Sequence, residues 1–291
     1  MMSTAVLRRR SYDVAVVEVY SGKAFLWGEA LSLLLSTLRC PFVLILHGGA
    51  LPDFARRYPE RVRKCLSRAT AVISPSHYLK THLSRYRPDV QLLPNPLNIC
   101  AYNYRERTNP KPQLVWLRAM HAIYNPTLAI RVGNFLAADF PETHLTMVGP
   151  DKGDGSLQHV KALAEELSFA RRLTLPGGVA KSEVPYWMDR GDIFLNTTNV
   201  DNTPTSVLEA MACGLCVVST NVGGIPYLLE HEVDALLVLP NDPEAMSAAV
   251  RRLLSEPGLA ARLSRNGRRK AERLDWSIIL PQWRTLLTSL A

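Results

Sequence analysis

Short apolar runs rich in β-branched residues alternate along this chain with longer stretches whose apolar positions recur every three or four residues. Runs at 12–19, 42–46, 71–74 and 90–93 predict four buried strands, and helices are expected between them at 24–38, 54–68 and 78–85. A polar, proline-punctuated stretch, RERTNPKP at 105–112, reads as a linker. The rhythm then resumes. Strands are expected at 113–117, 144–148, 172–175, 192–195, 215–219 and 235–239. Helices are expected at 126–138, 157–167, 181–189, 204–213, 243–254 and 258–273, with a last one at 280–290. Strands that are apolar throughout and separated by helices predict parallel sheets covered on both faces. The fold class is therefore α/β, with two Rossmann-like parallel-sheet domains at 1–108 and 109–273 and a C-terminal helix within 274–291.

The most informative stretch is 196–229, NTTNVDNTPTSVLEAMACGLCVVSTNVGGIPYLL. A polar loop follows a buried strand, Thr203 stands as an N-cap, Pro204 takes the first helical position, and Gly214 supplies the stop. Such a strand–loop–helix unit aims free backbone N–H groups and a positive helix end beyond the strand's carboxyl end, which suits a phosphate. Thr203, Thr205 and Ser206 stand at that helix start. Asp201 in the loop and Glu209 inside the helix are carboxylates suited to sugar hydroxyls. The pattern implies a ligand that joins a sugar to a phosphate.

On Asp201, Glu209, Ala210, Gly214, Gly223 and Gly224, this stretch resembles the donor-site signature of the retaining family 4 glycosyltransferases, which have the GT-B fold of two Rossmann-like domains facing a cleft. The resemblance implies a nucleotide-diphosphate sugar as donor, a UDP-sugar first among them, with Glu209 on the ribose and Asp201 on the donor sugar. Asp201 is one methylene shorter than the family's usual Glu. It implies further that His47, at a strand end followed by Gly48 and Gly49, sits by the reacting carbon. Arg118 would meet the diphosphate, and the backbone of Gly177, Gly178 and Val179 the nucleotide base. The family commonly pairs that Arg with a Lys five residues on; here the position holds Ile123, and His121, Tyr124 or Asn125 are the candidates to stand in. The resemblance also makes the first domain short, since the usual opening strand, glycine-rich turn and helix are lacking. Retention of configuration, with the leaving phosphate assisting the acceptor, is implied in the same way. The alternatives are a non-catalytic or decayed nucleotide-sugar binder and a GT-B-fold UDP-sugar epimerase.

Composition adds a few bounds. The 291 residues are 47% hydrophobic and 21% charged, ordinary for a globular chain. The net charge of +8 is lopsided: residues 1–108 carry 16 Lys/Arg against 7 Asp/Glu, and the remainder 18 against 19. Six of the basic residues, Arg56, Arg57, Arg61, Arg63, Lys64 and Arg68, fall in one predicted helix. With Gly48, Gly49, Arg56 and Arg57 on the acceptor side, they suit an anionic or lipid-linked acceptor and contact with a membrane surface, the alternative being a merely solvated basic face. Nucleic acid is disfavoured for want of a recognition motif. No Asp-x-Asp pair or His cluster is present, so neither a metal nor another cofactor is expected. Five scattered cysteines are read as buried thiols of a cytoplasmic protein working at the inner membrane face, Cys213-Gly-Leu-Cys216 included. Arg8-Arg9-Arg10 is followed by a strand-like run with no cleavage site, which argues against a signal peptide.

Overall fold

A computed structural model describes Val6 and residues 11–290; Arg8, Arg9 and Arg10 lie outside the described residues. The chain divides into two compact units. One ends at Pro96 and takes in Asp201–Thr203 and the helix from Trp276; the other is Leu97–Val200 with Pro204–Asp275.

In the first unit the described strands β1 (Ala15–Val19), β2 (Phe42–Leu46), β3 (Ala71–Ser74) and β4 (Gln91–Leu92) form one parallel sheet in sequence order. They alternate with α1 (Phe25–Thr37), α2 (Leu51–Arg57), α3 (Pro59–Ser67) and α4 (His77–Leu83). The two-residue period of a strand decides which face each side chain serves. Val17, Val19, Phe42, Leu44, Leu46 and Val72 pack with Phe25, Leu35, Val62 and Leu66 in one layer. Their neighbours Val43, Ala71 and Ile73 cover the opposite face together with Ile279, Trp283, Leu286 and Leu287. Those last residues belong to the C-terminal helix of the described residues, α12 (Trp276–Leu290).

The second unit holds β5 (Gln113–Leu117), α5 (Pro126–Ala137), β6 (His144–Val148), α6 (Ser156–Glu166), β7 (Leu173–Gly177), α7 (Val184–Asp189) and β8 (Ile193–Asn196). It continues with α8 (Thr205–Ala212), β9 (Cys216–Thr220), α9 (Ile225–Leu228), β10 (Leu236–Val238), α10 (Pro243–Ser255) and α11 (Leu259–Glu272). The described strands are parallel, in the order β10-β9-β8-β5-β6-β7. The chain thus builds outward from β5 on one side, returns, and builds outward on the other. In sheets of this kind the point of reversal, here between β5 and β8, opens a crevice beyond the strands' carboxyl ends.

Several expectations need correcting. The basic helix at 54–68 is two helices, because Pro59 forces Tyr58 out of helical geometry (ψ 59°). Its arginines are largely engaged: Arg56 with Asp53, Arg61 with Glu29 and Arg63 with Glu60. The division between units falls at Pro96–Leu97, upstream of the stretch that reads as a linker. Arg107, inside that stretch, is 1% exposed and anchored within the second unit. Cys100 is exposed, on a single turn of 3-10 helix (Ile99–Ala101), whereas the other four cysteines are buried. Burial pushes the Cys213 and Cys216 thiols up to about 12, which leaves both inert.

Candidate functional site

Beyond the reversal point of the second sheet lies a pocket of about 280 Å³, lined among others by Arg118, Tyr124, Val179, Thr205, Ser206 and Glu209. Each wall follows from a strand end. Arg118 and Ala119 continue from β5, Gly149 and Pro150 from β6, and Val179 from β7. Arg118 N–H donates to Val148 O (3.0 Å) and Gly149 N–H to Gly177 O (2.9 Å), so the sheet's pairing carries on into these loops. The close approach requires glycine at 149. Its φ is +152°, and a Cβ there would stand 1.7 Å from the Arg118 carbonyl oxygen. Gly178 lies against Pro150 less tightly, a Cβ there standing 3.1 Å from the proline Cβ.

The fourth wall is the start of α8. The helix begins at Thr205, not at Pro204. Pro204 is extended (ψ 112°) and takes the N-cap position, where it offers no side-chain hydrogen bond; its carbonyl instead accepts from Val207 N–H. Thr203 is therefore not the cap. Ser206 is 3% exposed, lines the pocket, and its Oγ has no hydrogen-bond partner among the described residues. A buried hydroxyl left unsatisfied costs about 1–3 kcal/mol, which a bound acceptor oxygen would remove.

Glu209 sits one turn further along, 5% exposed. Its carboxylate accepts a hydrogen bond at Oε1 from the Tyr102 hydroxyl (2.9 Å). Burial raises the carboxyl's pKa, while that hydrogen bond and the charges of Lys181 and Arg118 oppose the rise. The Arg118 guanidinium lies over the Tyr124 ring, 4.7 Å from its centroid. Of the three residues weighed as stand-ins for the absent lysine, Tyr124 lines the pocket and touches Arg118. His121 faces Asp154 (3.8 Å), and Asn125 bonds Asn241. Asp154, held at about 2 by the N–H groups of Ala122 and Ser156 and by the Ser156 hydroxyl, ties the loop after β5 to the loop after β6.

The structure thus gathers Arg118, Val179, Thr205, Ser206 and Glu209 around one pocket, with Gly177 and Gly178 on the approach to Val179. Asp201 and Thr203 fall with the other unit and do not line it. Asp201 Oδ1 accepts from Asn202 N–H, and Asn202 Oδ1 accepts from Ser76, the N-cap of α4. His47, at the end of β2, stacks on Tyr20 (5.0 Å between centroids, 17°) with Glu18 Oε1 4.0 Å from its Nε2. Burial lowers its pKa, so the ring is neutral at pH 7, although Glu18 opposes the shift. Gly48 has a φ of +85°, and Gly49 O accepts from the Tyr78 hydroxyl. Arg56 and Arg57 are exposed, the first paired with Asp53 and the second over the Tyr58 ring. Tyr102 is the site residue that sequence reasoning misses; an aromatic in a polar stretch far from the motif carries no local signal. Among the described residues no three His, Cys, Asp or Glu side chains gather as a metal site would need.

The family description "Glycosyl transferases group 1" matches residues 106–270, more than half of the chain and the whole of this pocket. The chain belongs to the group 1 glycosyl transferases. Residues 2–99 match "Glycosyltransferase Family 4", which makes the two-unit fold that of a family 4 GT-B glycosyltransferase. A GDP-mannose-dependent alpha-(1-6)-phosphatidylinositol monomannoside mannosyltransferase of Mycolicibacterium smegmatis is 27% identical over 232 residues, 77% of this chain and 58% of that protein. A D-inositol 3-phosphate glycosyltransferase of Rhodococcus jostii is 27% identical over 199 residues, 67% of this chain and 42% of its own length. The chain therefore spans little more than half, or less, of these relatives. Among solved structures, Anabaena HepE in complex with UDP superposes with a TM-score of 0.84 at 20% identity, over 99% of this chain and 82% of that one.

Proposed function

We propose that this glycosyltransferase moves a sugar from a nucleoside-diphosphate sugar, a UDP-sugar first among them, to an acceptor met through the first unit. The observation that carries this is the pocket itself: a buried carboxylate, Glu209, and a buried serine hydroxyl without a partner among the described residues stand on one helix across from a guanidinium. The carboxylate accepts from ribose hydroxyls. Arg118, the Ser206 hydroxyl and the free N–H groups at the start of α8 bind the diphosphate. The same three groups offset the charge that grows on the departing nucleotide. Asp201 would bind hydroxyls of the donor sugar, and the neutral His47 would lie by the reacting carbon. Transfer with retention follows if the leaving phosphate receives the acceptor's proton. No metal and no other cofactor enters this scheme.

The nucleotide is the point on which the relatives differ. The mycobacterial relative's name specifies GDP-mannose, and HepE is bound to UDP. An anionic or lipid-linked acceptor is favoured by the basic balance of residues 1–108 and by the exposed Leu26, Trp27 and Leu33 on α1. Calorimetric titration of the chain with UDP, GDP and ADP tests the donor reading, with Glu209→Ala as its control. One nucleotide should bind, and the substitution should weaken it by about 10- to 100-fold, the loss of one or two hydrogen bonds to a charged group. Equal affinity in the variant would refute the role of Glu209. With the nucleotide known, product analysis with lipid-linked acceptors in anionic vesicles separates transfer from epimerisation and from binding alone.

A further inference from the structure

Tyr102 lies in the segment between the two sheets, far in sequence from every motif of the donor pocket. It is 5% exposed and packs in one apolar cluster with Val207, Leu208 and Met211 of α8. Its backbone is fixed at both sides: its N–H donates to Ile99 O, and its carbonyl accepts from Arg268 Nη1 (3.3 Å). Three residues on, Arg105 N–H donates to Cys213 O at the end of α8 (3.2 Å). The ring is buried in that cluster, and its hydroxyl meets Glu209 Oε1 at 2.9 Å.

A carboxylate with both oxygens unheld rotates about its last bond and meets a vicinal diol in many ways. One with a single oxygen held by a rigid donor presents the other in a fixed direction. We propose that Tyr102 is a positioning residue for the donor's ribose: by holding Glu209 Oε1 it orients the carboxylate, so that the remaining oxygen selects nucleotides bearing both ribose hydroxyls. This rests on the donor reading above. The groups facing Glu209 are Tyr102, Arg118, Lys181 and Cys213. Burial and the neighbouring carboxylate raise the Tyr102 phenol well above its ordinary range, and burial does the same for the Cys213 thiol, so both stay protonated and Tyr102 remains a donor. A hydrogen bond donated to a charged group favours the charged form. Removing it therefore moves the protonation of Glu209 to higher pH.

The test uses the full chain, with UDP, GDP and their 2′-deoxy counterparts as probes. Tyr102→Phe keeps the ring and loses the hydroxyl. It should weaken the preferred nucleotide by about tenfold at neutral pH, a charge-assisted hydrogen bond's usual worth. The preference for the ribonucleotide over its 2′-deoxy form should shrink by a similar factor. Affinity should also fall away at a higher pH than in the wild type. On a Glu209→Gln background the same substitution should cost little more, because the charge it serves is gone. Tyr102→Met, of similar apolar volume, should reproduce these effects if the Phe variant folds poorly. Wild-type affinity, preference and pH midpoint in a folded hydroxyl-free variant would overturn the proposal while leaving the donor reading intact. Failure of the wild type to bind any of the probes would overturn both.

Discussion

Arg107 offers the sharpest test of how the donor unit is held together. Its guanidinium is buried inside a stretch whose composition reads as solvent-exposed. Nε donates to Asp192 Oδ1 (3.2 Å), Nη2 to Gly191 O (2.9 Å), and Nη1 to Cys213 O (2.6 Å) and Arg105 O. One side chain thus ties the entry to β8, the exit of α8 and its own strand of chain. Burial and the neighbouring Arg105 charge lower its pKa, but an arginine starts far above neutrality and the Asp192 and Asp189 carboxylates oppose the shift, so it remains charged.

Replacing it by alanine strips Asp192, itself 7% exposed, of one cationic partner and leaves three carbonyls without this donor. Arg105 Nη2 and Lys111 N–H still reach the carboxylate, which limits the loss. Breaking a buried ion pair on one side costs about 3–5 kcal/mol. At about 2–4 °C per kcal/mol for a unit of this size, Arg107→Ala should melt about 6–20 °C below the wild type. Arg107→Lys should fall between, since an ammonium keeps the charge but cannot reach four acceptors in a plane. Arg63→Ala is the contrast: its partner Glu60 is exposed one turn away, and such surface pairs are worth about 0–1 kcal/mol. Melting curves by circular dichroism, with urea titrations for free energies, decide the matter. If Arg107→Ala and Arg63→Ala melt within about 2 °C of each other, the buried hub is not what holds this unit, and the reasoning from burial fails.

Two other substitutions probe the pocket. Gly149→Ala forces a Cβ against the Arg118 carbonyl; it should cost more than about 3 kcal/mol and abolish nucleotide binding, and a variant that melts and binds like the wild type would show the strand-end geometry to be wrong. Glu209→Gln should raise the melting temperature at pH 7. Because burial raises this carboxyl's pKa in the folded state, its favourable contribution is full below the unfolded value, about pH 4, and is lost as pH rises through the folded one. The gain should therefore shrink on acidification, while nucleotide affinity at neutral pH falls by about tenfold, the worth of a hydrogen bond to a charged group; a gain that is the same at about pH 4 and about pH 7.5 would contradict the assignment.

The candidate pocket is legible in sequence where the elements that carry it are local, although Asp201 and Thr203 of the same stretch do not line it. The strand, the loop, the small-residue helix and Gly214 lie within one short stretch, and Gly214 does adopt a φ of +79°, against the Arg105 carbonyl. The reversal of strand order at β5 is compatible with the same alternation that predicts parallel sheets. Subtler backbone chemistry is harder to read. Pro204 fits the first helical position on preference alone, but it stays extended and cedes the start to Thr205. Pro59 signals the break in the basic helix, and the charge pattern running across it masks that signal.

The stretch at 105–112, which reads as a linker, misleads for a more general reason. Its charged and polar residues suggest a linker because composition reports what a residue prefers on average, not which partner it finds. Arg107 and Tyr102 are buried because Asp192 and Glu209, 85 and 107 residues away, satisfy them. Both partners stand on the elements that build the donor pocket: Asp192 just before β8, Glu209 on α8. A single crossing of the chain thus steadies the donor strand at its base and the donor helix along its length. The stretch that looks most like a tether is part of the site's foundation. Substitutions within it should disturb nucleotide binding more than its polar composition suggests.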